Sequence, residues 1–174
     1  VEEYKKPDVG GVFCVQTPDT SDDFNNNVLG LQWQWNANPQ EHWYTLKERK
    51  GFLRLYTLNN SNNTGLLYYA PNILTQLFQA PEFNASVKLQ FSPEKVGDKA
   101  GIVIFGEEYM YLAIEKTPER NKIVCCCGSP NGTEYTEQLI ESQCAQQETV
   151  IFSVDVKDEA VCSFSFSYDG LNFH

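Results

Sequence analysis

The sequence predicts an all-β domain, a two-sheet jelly-roll sandwich, on three observations. Phe83, Ala85, Val87, Leu89 and Phe91 alternate with Asn84, Ser86, Lys88 and Gln90, the period-two signature of a strand with one buried face. Cys162, Phe164, Phe166 and Tyr168 alternate with Ser163, Ser165 and Ser167 in the same way. Elsewhere, short apolar runs recur with turn residues between them, the spacing of a sandwich rather than of packed helices.

The elements follow in chain order. Residues 1–20 read as a linker or entry segment, because Pro7, Gly10, Gly11 and Pro18 are breakers that keep a chain extended. The sandwich itself is assigned to residues 21–174. Leu31, Trp33 and Trp35 alternate with Gln32, Gln34 and Asn36 and predict a strand with its apolar side in the core. Trp43 to Lys47 and Phe52 to Thr57 predict a hairpin that turns at Gly51. The run Ala100 to Phe105 is apolar without interruption, which predicts a central strand buried on both faces. Tyr109 to Lys116, Ile123 to Cys127 and Val150 to Val156 continue the series. Thr133 to Gln143 is the one stretch that reads alternatively as a short helix. Asp169-Gly170 signals a two-residue hairpin turn. The return strand then has only Leu171 to His174, so the sandwich is expected to be incomplete at its C-terminal strands.

Composition narrows the function classes. The chain has 174 residues, 13 basic against 23 acidic, and a net charge of −10, the opposite of what a phosphate-binding surface needs, so no nucleic-acid partner is expected. No apolar run approaches the length of a membrane helix, and no membrane span is expected. Of six cysteines, Cys125, Cys126 and Cys127 are adjacent. In a strand the outer two face one way and Cys126 the other, which suits small buried apolar residues better than a metal or redox motif. A bridge involving Cys14, Cys144 or Cys162 stays open.

Catalytic sets are missing. The two histidines are His42 and His174, and no metalloprotease, nucleophile-elbow or phosphate-loop motif occurs. A glycosidase needs two carboxylates across the scissile bond; Glu107-Glu108 follows Gly106 and reads as a solvated turn. No catalytic residue is assigned. Asp19, Asp22 and Asp23, with Asn25, form an oxygen-rich loop of the donor type calcium takes, against which stands a capped, solvated turn. Stacking on sugar rings is the remaining chemistry, with Trp33, Trp35, Trp43, Tyr68 and Tyr69 as candidates; core packing competes for the tryptophans. Tyr68 and Tyr69 follow the polar loop Asn59 to Thr64 and cannot both point inward from a strand.

Leu29 to Asn36, with its double Trp, followed by Trp43 to Leu55, resembles the C-terminal concanavalin A-like domain of glycoside hydrolase family 43 β-xylosidases and α-L-arabinofuranosidases. Tyr4 to Gly10, Thr17 to Phe24, Asp98 to Ile102, Tyr109 to Ala113 and Phe166 to Phe173 sit in family order. The resemblance implies a sandwich packed on an upstream catalytic propeller of the same polypeptide, which holds the catalytic carboxylates. The parent would be a hydrolase acting on xylan-derived oligosaccharides, exported to the periplasm or outside the cell, with this chain inactive alone. It also implies that a sandwich loop reaches the pocket rim with an aromatic side chain; the matching segment here, Thr57 to Asn72, carries Tyr68 and Tyr69 but departs from the family in sequence. An alternative function is a carbohydrate-binding module for xylo-oligosaccharide or arabinoxylan. A free-standing jelly-roll hydrolase would require carboxylates converging in a groove.

Overall fold

The computed structural model describes residues 10, 11, 14, 17, 19–59, 64–132 and 134–174. Most of the expected entry segment and part of the loop before Tyr68 therefore lie outside the described residues. Strands β1 (Gln34–Trp35), β2 (Tyr44–Thr45), β3 (Arg54–Leu55) and β4 (Leu74–Thr75) are short, and β5 (Phe83–Gln90), β6 (Lys99–Phe105) and β7 (Tyr109–Lys116) are long. The long strands continue with β8 (Asn121–Asn131), β9 (Glu134–Cys144), β10 (Thr149–Lys157) and β11 (Val161–Ser167). They make two antiparallel sheets, β6-β7-β8-β9 and β11-β10-β5, while β1-β4 and β2-β3 form two-stranded ribbons. This is an all-β architecture of concanavalin A-like type.

The core lies between the two sheets. Leu112, Ile114 and Ile123 from one sheet meet Val150, Phe152 and Phe166 from the other, and each of the six is buried. Register explains the match: Phe152 stands opposite Val87 on one side and Phe166 on the other, so the alternation in β5 and β11 loads one face of their sheet. The opposite face of β7 and β8 carries a second cluster, Tyr109, Tyr111, Ala113, Val124 and Cys126. Cys125 packs against the first cluster and Cys126 belongs to the second, so successive cysteines face opposite sides. All six thiols are free.

Four expectations need correction. The apolar run at 100–105 is not central: among the described residues β6 stands at the edge of its sheet. Its run is apolar because both faces are covered, Ile102 packing on the first cluster and Val103 and Phe105 on the second. Burial of the faces says nothing about who occupies the hydrogen-bonding edge.

The candidate helix is strand β9, paired with β8 from Asn131↔Glu134 to Lys122↔Cys144. Its Glu, Gln and Leu residues favour a helix, but propensity is a weak prior that a long ladder overrides. Cys125 pairs with Glu141 while Cys126 pairs with Leu139, so Ile140 is the extra residue of a bulge at this exposed edge, a device that discourages further pairing.

The double-Trp strand shrinks to Gln34–Trp35. Leu31 sits in a turn and is 98% exposed, not in the core, and the turn closes through Trp33 N–H donating to Gly30 O at 3.2 Å. Alternation was present, but β1 has only the two residues of β4 to pair with.

The C-terminal turn is a longer loop than two residues. The first return pair is Phe166 with His174, bonded N–H to O in both directions at 3.1 and 2.9 Å. Asp169 braces the loop: Oδ1 accepts the N–H groups of Leu171 and Asn172 at 2.8 and 2.9 Å and the Ser167 hydroxyl at 2.9 Å. These bonds to the charged form hold the Asp169 carboxyl well below the usual carboxylate range. The Asx geometry of Asp169 thus replaces the tight turn that Asp-Gly alone suggests.

Candidate functional site

The aromatic residues named from the sequence divide by environment. Trp43 is buried, at 6% exposure, and meets Trp35 edge-on with ring centroids 5.7 Å apart. Trp35 also lies 5.2 Å from Tyr44. Trp33 is half-buried, its ring 5.8 Å from Phe24 and stacked on it. Packing takes up much of the three tryptophans.

Trp33 also bonds to the acidic loop. Its indole N–H donates to Asp22 Oδ2 at 2.8 Å, and Phe24 N–H donates to Asp22 Oδ1 at 2.8 Å. Asp23 Oδ1 accepts Asn25 N–H at 3.2 Å. The carboxylates serve as turn acceptors, as Asp does in Asx turns. Together with Asp19 they border an open depression of about 350 Å³, but among the described residues no three His, Cys, Asp or Glu side chains come together as a metal would need.

Tyr68 and Tyr69 form one 3-10 turn, Leu67–Tyr69, which lies on the second cluster. The turn closes through Tyr69 N–H to Leu66 O at 3.2 Å and Ala70 N–H to Leu67 O at 3.0 Å. Tyr68 points inward. Its hydroxyl donates to the carbonyls of Glu107 and Gly128, and its ring lies 4.9 Å from Tyr109 and 4.2 Å from Tyr135. Burial, the largest influence, with the neighbouring Tyr135, Glu108 and Glu107, raises its ionisation above the ordinary tyrosine value. Tyr69 points outward, 39% exposed. Its hydroxyl makes no hydrogen bond among the described residues. Two adjacent tyrosines therefore do different work, one anchoring the turn and one presenting a ring.

Beneath the turn lies a polar network invisible in the sequence. Tyr109 donates to Glu137 Oε2 at 2.6 Å and Tyr111 to Glu137 Oε1 at 2.8 Å. Lys99 Nζ donates to the Tyr111 hydroxyl at 2.9 Å and stands 3.6 Å from Glu137. The Tyr109 oxygen in turn accepts Leu67 N–H at 3.3 Å, tying the network to the turn. Period-two spacing brings Tyr109 and Tyr111 to one face, but only the β8–β9 register reveals that Glu137, opposite Gly128, shares it. Glu107 and Glu108 are exposed in the bend after Gly106 and face no partner carboxylate of this network.

Gly128 is required by close approach. A Cβ there would fall 2.2 Å from the Tyr109 ring, and Tyr109 is held by Glu137 and Leu67, so it has little room to move. Gly128→Ala is expected to cost about 1–3 kcal/mol by overpacking, read as a lower urea midpoint at unchanged slope.

What the geometry can do chemically is limited. It presents an aromatic ring on a braced turn, while Asp19, Asp22 and Asp23 border the open depression described above, Asp22 and Asp23 being taken up as turn acceptors. The family model described as beta xylosidase C-terminal concanavalin A-like domain matches residues 21–174, and the chain belongs to that family of glycoside hydrolase family 43 proteins. A β-xylosidase of Formosa agariphila is 29% identical over 99% of this chain and 31% of its own length. A non-reducing end α-L-arabinofuranosidase of Bacteroides ovatus is 28% identical over 68% of the chain and 22% of its length. The solved bifunctional GH43-CE protein of Bacteroides eggerthii superposes with a TM-score of 0.78 at 32% identity, covering 88% of this chain and 20% of that one. The chain spans less than a third of these relatives, which are much longer family 43 proteins. Among the described residues, no helix is long and apolar enough to cross a membrane.

Proposed function

We propose that this domain is a non-catalytic accessory unit of a family 43 hydrolase acting on xylan-derived oligosaccharides, stabilising a catalytic propeller in the same polypeptide and lending its pocket rim an aromatic contact. Residues 1–20 serve as the entry segment from that propeller, and residues 21–174 form the accessory domain. The observation that carries the reading is Tyr69: an exposed ring whose hydroxyl makes no hydrogen bond among the described residues, on a turn whose neighbouring residue is bolted to the sheet. A sugar C–H face packs on such a ring, and rigid presentation lowers the entropy lost on contact. The relatives' names, a β-xylosidase and an α-L-arabinofuranosidase, support the substrate class, and the proposed parent enzyme is placed in the periplasm or outside the cell on the family resemblance. A carbohydrate-binding module is the weaker reading, since Trp43 is buried and Trp33 and Trp35 are engaged by neighbouring rings.

Two measurements test this. The isolated domain should release no p-nitrophenol from a β-xyloside or α-L-arabinofuranoside, while the intact polypeptide should. In the intact polypeptide, Tyr69→Ala should raise KM for xylo-oligosaccharides about tenfold, the loss of roughly one aromatic contact. Hydrolysis by the isolated domain, or an unchanged KM in the variant, would count against the reading.

A further inference from the structure

We infer that Tyr135, on the β8–β9 hairpin, is a positioning residue for the rim turn, an inference that rests on the reading of Tyr69 just given. Tyr135 is the second residue of β9 and pairs with Pro130 of β8. Its ring centroid lies 4.2 Å from that of Tyr68, the shortest of the ring contacts Tyr68 makes; Tyr109 stands at 4.9 Å and Phe105 at 6.2 Å. The same hairpin supplies the Gly128 carbonyl that accepts from the Tyr68 hydroxyl at 3.4 Å. Tyr68 is thus held with its ring against Tyr135 of this hairpin, while its hydroxyl bonds closely to Glu107 O in the bend before β7 and only loosely to Gly128 O of the hairpin.

The consequence falls on the next residue. Tyr69 has no side-chain anchor of its own among the described residues; its place is set by the turn, through Tyr69 N–H to Leu66 O and Ala70 N–H to Leu67 O. Tyr68 and the Leu67 N–H bond to Tyr109 are what hold that turn on the sheet. Tyr135 supports Tyr68 from the solvent side: it is 43% exposed, whereas Tyr109 beneath is 2% exposed. Tyr109 is fixed by the core and belongs to the fold. Tyr135 adds little to the core, so its ring contributes mainly to the turn. A side chain that holds a contact residue in place, without touching the ligand, governs how much ordering the ligand must bring about.

The test uses the intact polypeptide with Tyr135→Ala and Tyr135→Phe. In Tyr135→Ala, amide hydrogen exchange at Tyr69 and Ala70 should quicken about tenfold, as loss of one aromatic pair allows, while exchange in β7 stays as in the parent. KM for xylo-oligosaccharide should rise with kcat within about twofold. Tyr135→Phe, which keeps the ring and loses the hydroxyl, should restore both. Unchanged exchange at Tyr69 and Ala70 would overturn the inference, as would quickened exchange throughout β7, which marks a general structural role. If Tyr69→Ala leaves KM unaltered, the rim reading fails, and the exchange measurement still decides whether Tyr135 positions the turn.

Discussion

Phe152→Ala is expected to lower the unfolding free energy by about 3–5 kcal/mol, the largest effect of a single substitution in this domain. Phe152 is fully buried, at the middle of β10, which is the centre of its sheet. It touches both halves of the sandwich: Val87 and Phe166 flank it within the sheet, and Leu112, Ile114 and Ile123 face it from the other. Removing the ring withdraws the apolar contacts of the cluster residues Leu112, Ile114, Ile123, Val150 and Phe166 and leaves a cavity that paired strands on either side cannot collapse into. Ile151→Ala is the control, one residue along on the opposite, polar face and only half-buried, and should cost about 1 kcal/mol. Urea titrations should show a large drop in midpoint for the first and a small one for the second, with similar slopes. Equal losses would mean that the inter-sheet cluster is not where the domain's stability resides.

The inward faces of β5 and β11 were legible in part from their alternation, though Val87 stays exposed and Ser167 is buried, whereas the contrast between Phe152 and Ile151 in β10 was not read from the sequence. Family membership was legible too, through the double Trp and the hairpin after it. What was not legible depends on contacts between distant segments. Tyr68 and Tyr69 read as a pair that cannot both point inward, but which one does follows from the carbonyls of Glu107 and Gly128, some 40 and 60 residues away. The edge position of β6 was hidden because an apolar run reports covered faces and not hydrogen-bonding neighbours. Strand β9 was hidden because its residues suit a helix, and only the β8 ladder decides otherwise. Glu137 was missed for the same reason: a lone Glu in a polar stretch carries no sign that two phenols and an ammonium converge on it.

Glu137→Ala is expected to cost about 2–4 kcal/mol, because the substitution strips an acceptor from two buried hydroxyls at once. Tyr109 and Tyr111 are 2% and 3% exposed, so neither phenol has ready access to water once its carboxylate oxygen is gone. Lys99 loses its anion as well and keeps the Tyr111 oxygen and ring. Glu137→Gln, which retains one carbonyl acceptor, should cost about 1–2 kcal/mol. The network also sets a pH dependence. Burial, followed by the bond to Glu137 for Tyr109 and the bond to Cys126 for Tyr111, raises both phenols far above the ordinary tyrosine value of 10.0. Folding therefore favours the neutral rings; their contribution is complete below about pH 10 and is lost as pH rises, because the unfolded chain ionises first. Stability should fall by about 1.4 kcal/mol per pH unit for each of the two rings once the unfolded tyrosines have ionised. Since burial is the larger cause, the alkaline loss should survive in Glu137→Gln, superimposed on a uniformly lower stability. Urea titrations at pH 8 and at about pH 11 on both proteins separate the two effects. A Gln variant that no longer weakens at high pH would transfer the cause from burial to the carboxylate, and with it the explanation for why a Lys, a Glu and two Tyr are held together under the rim turn.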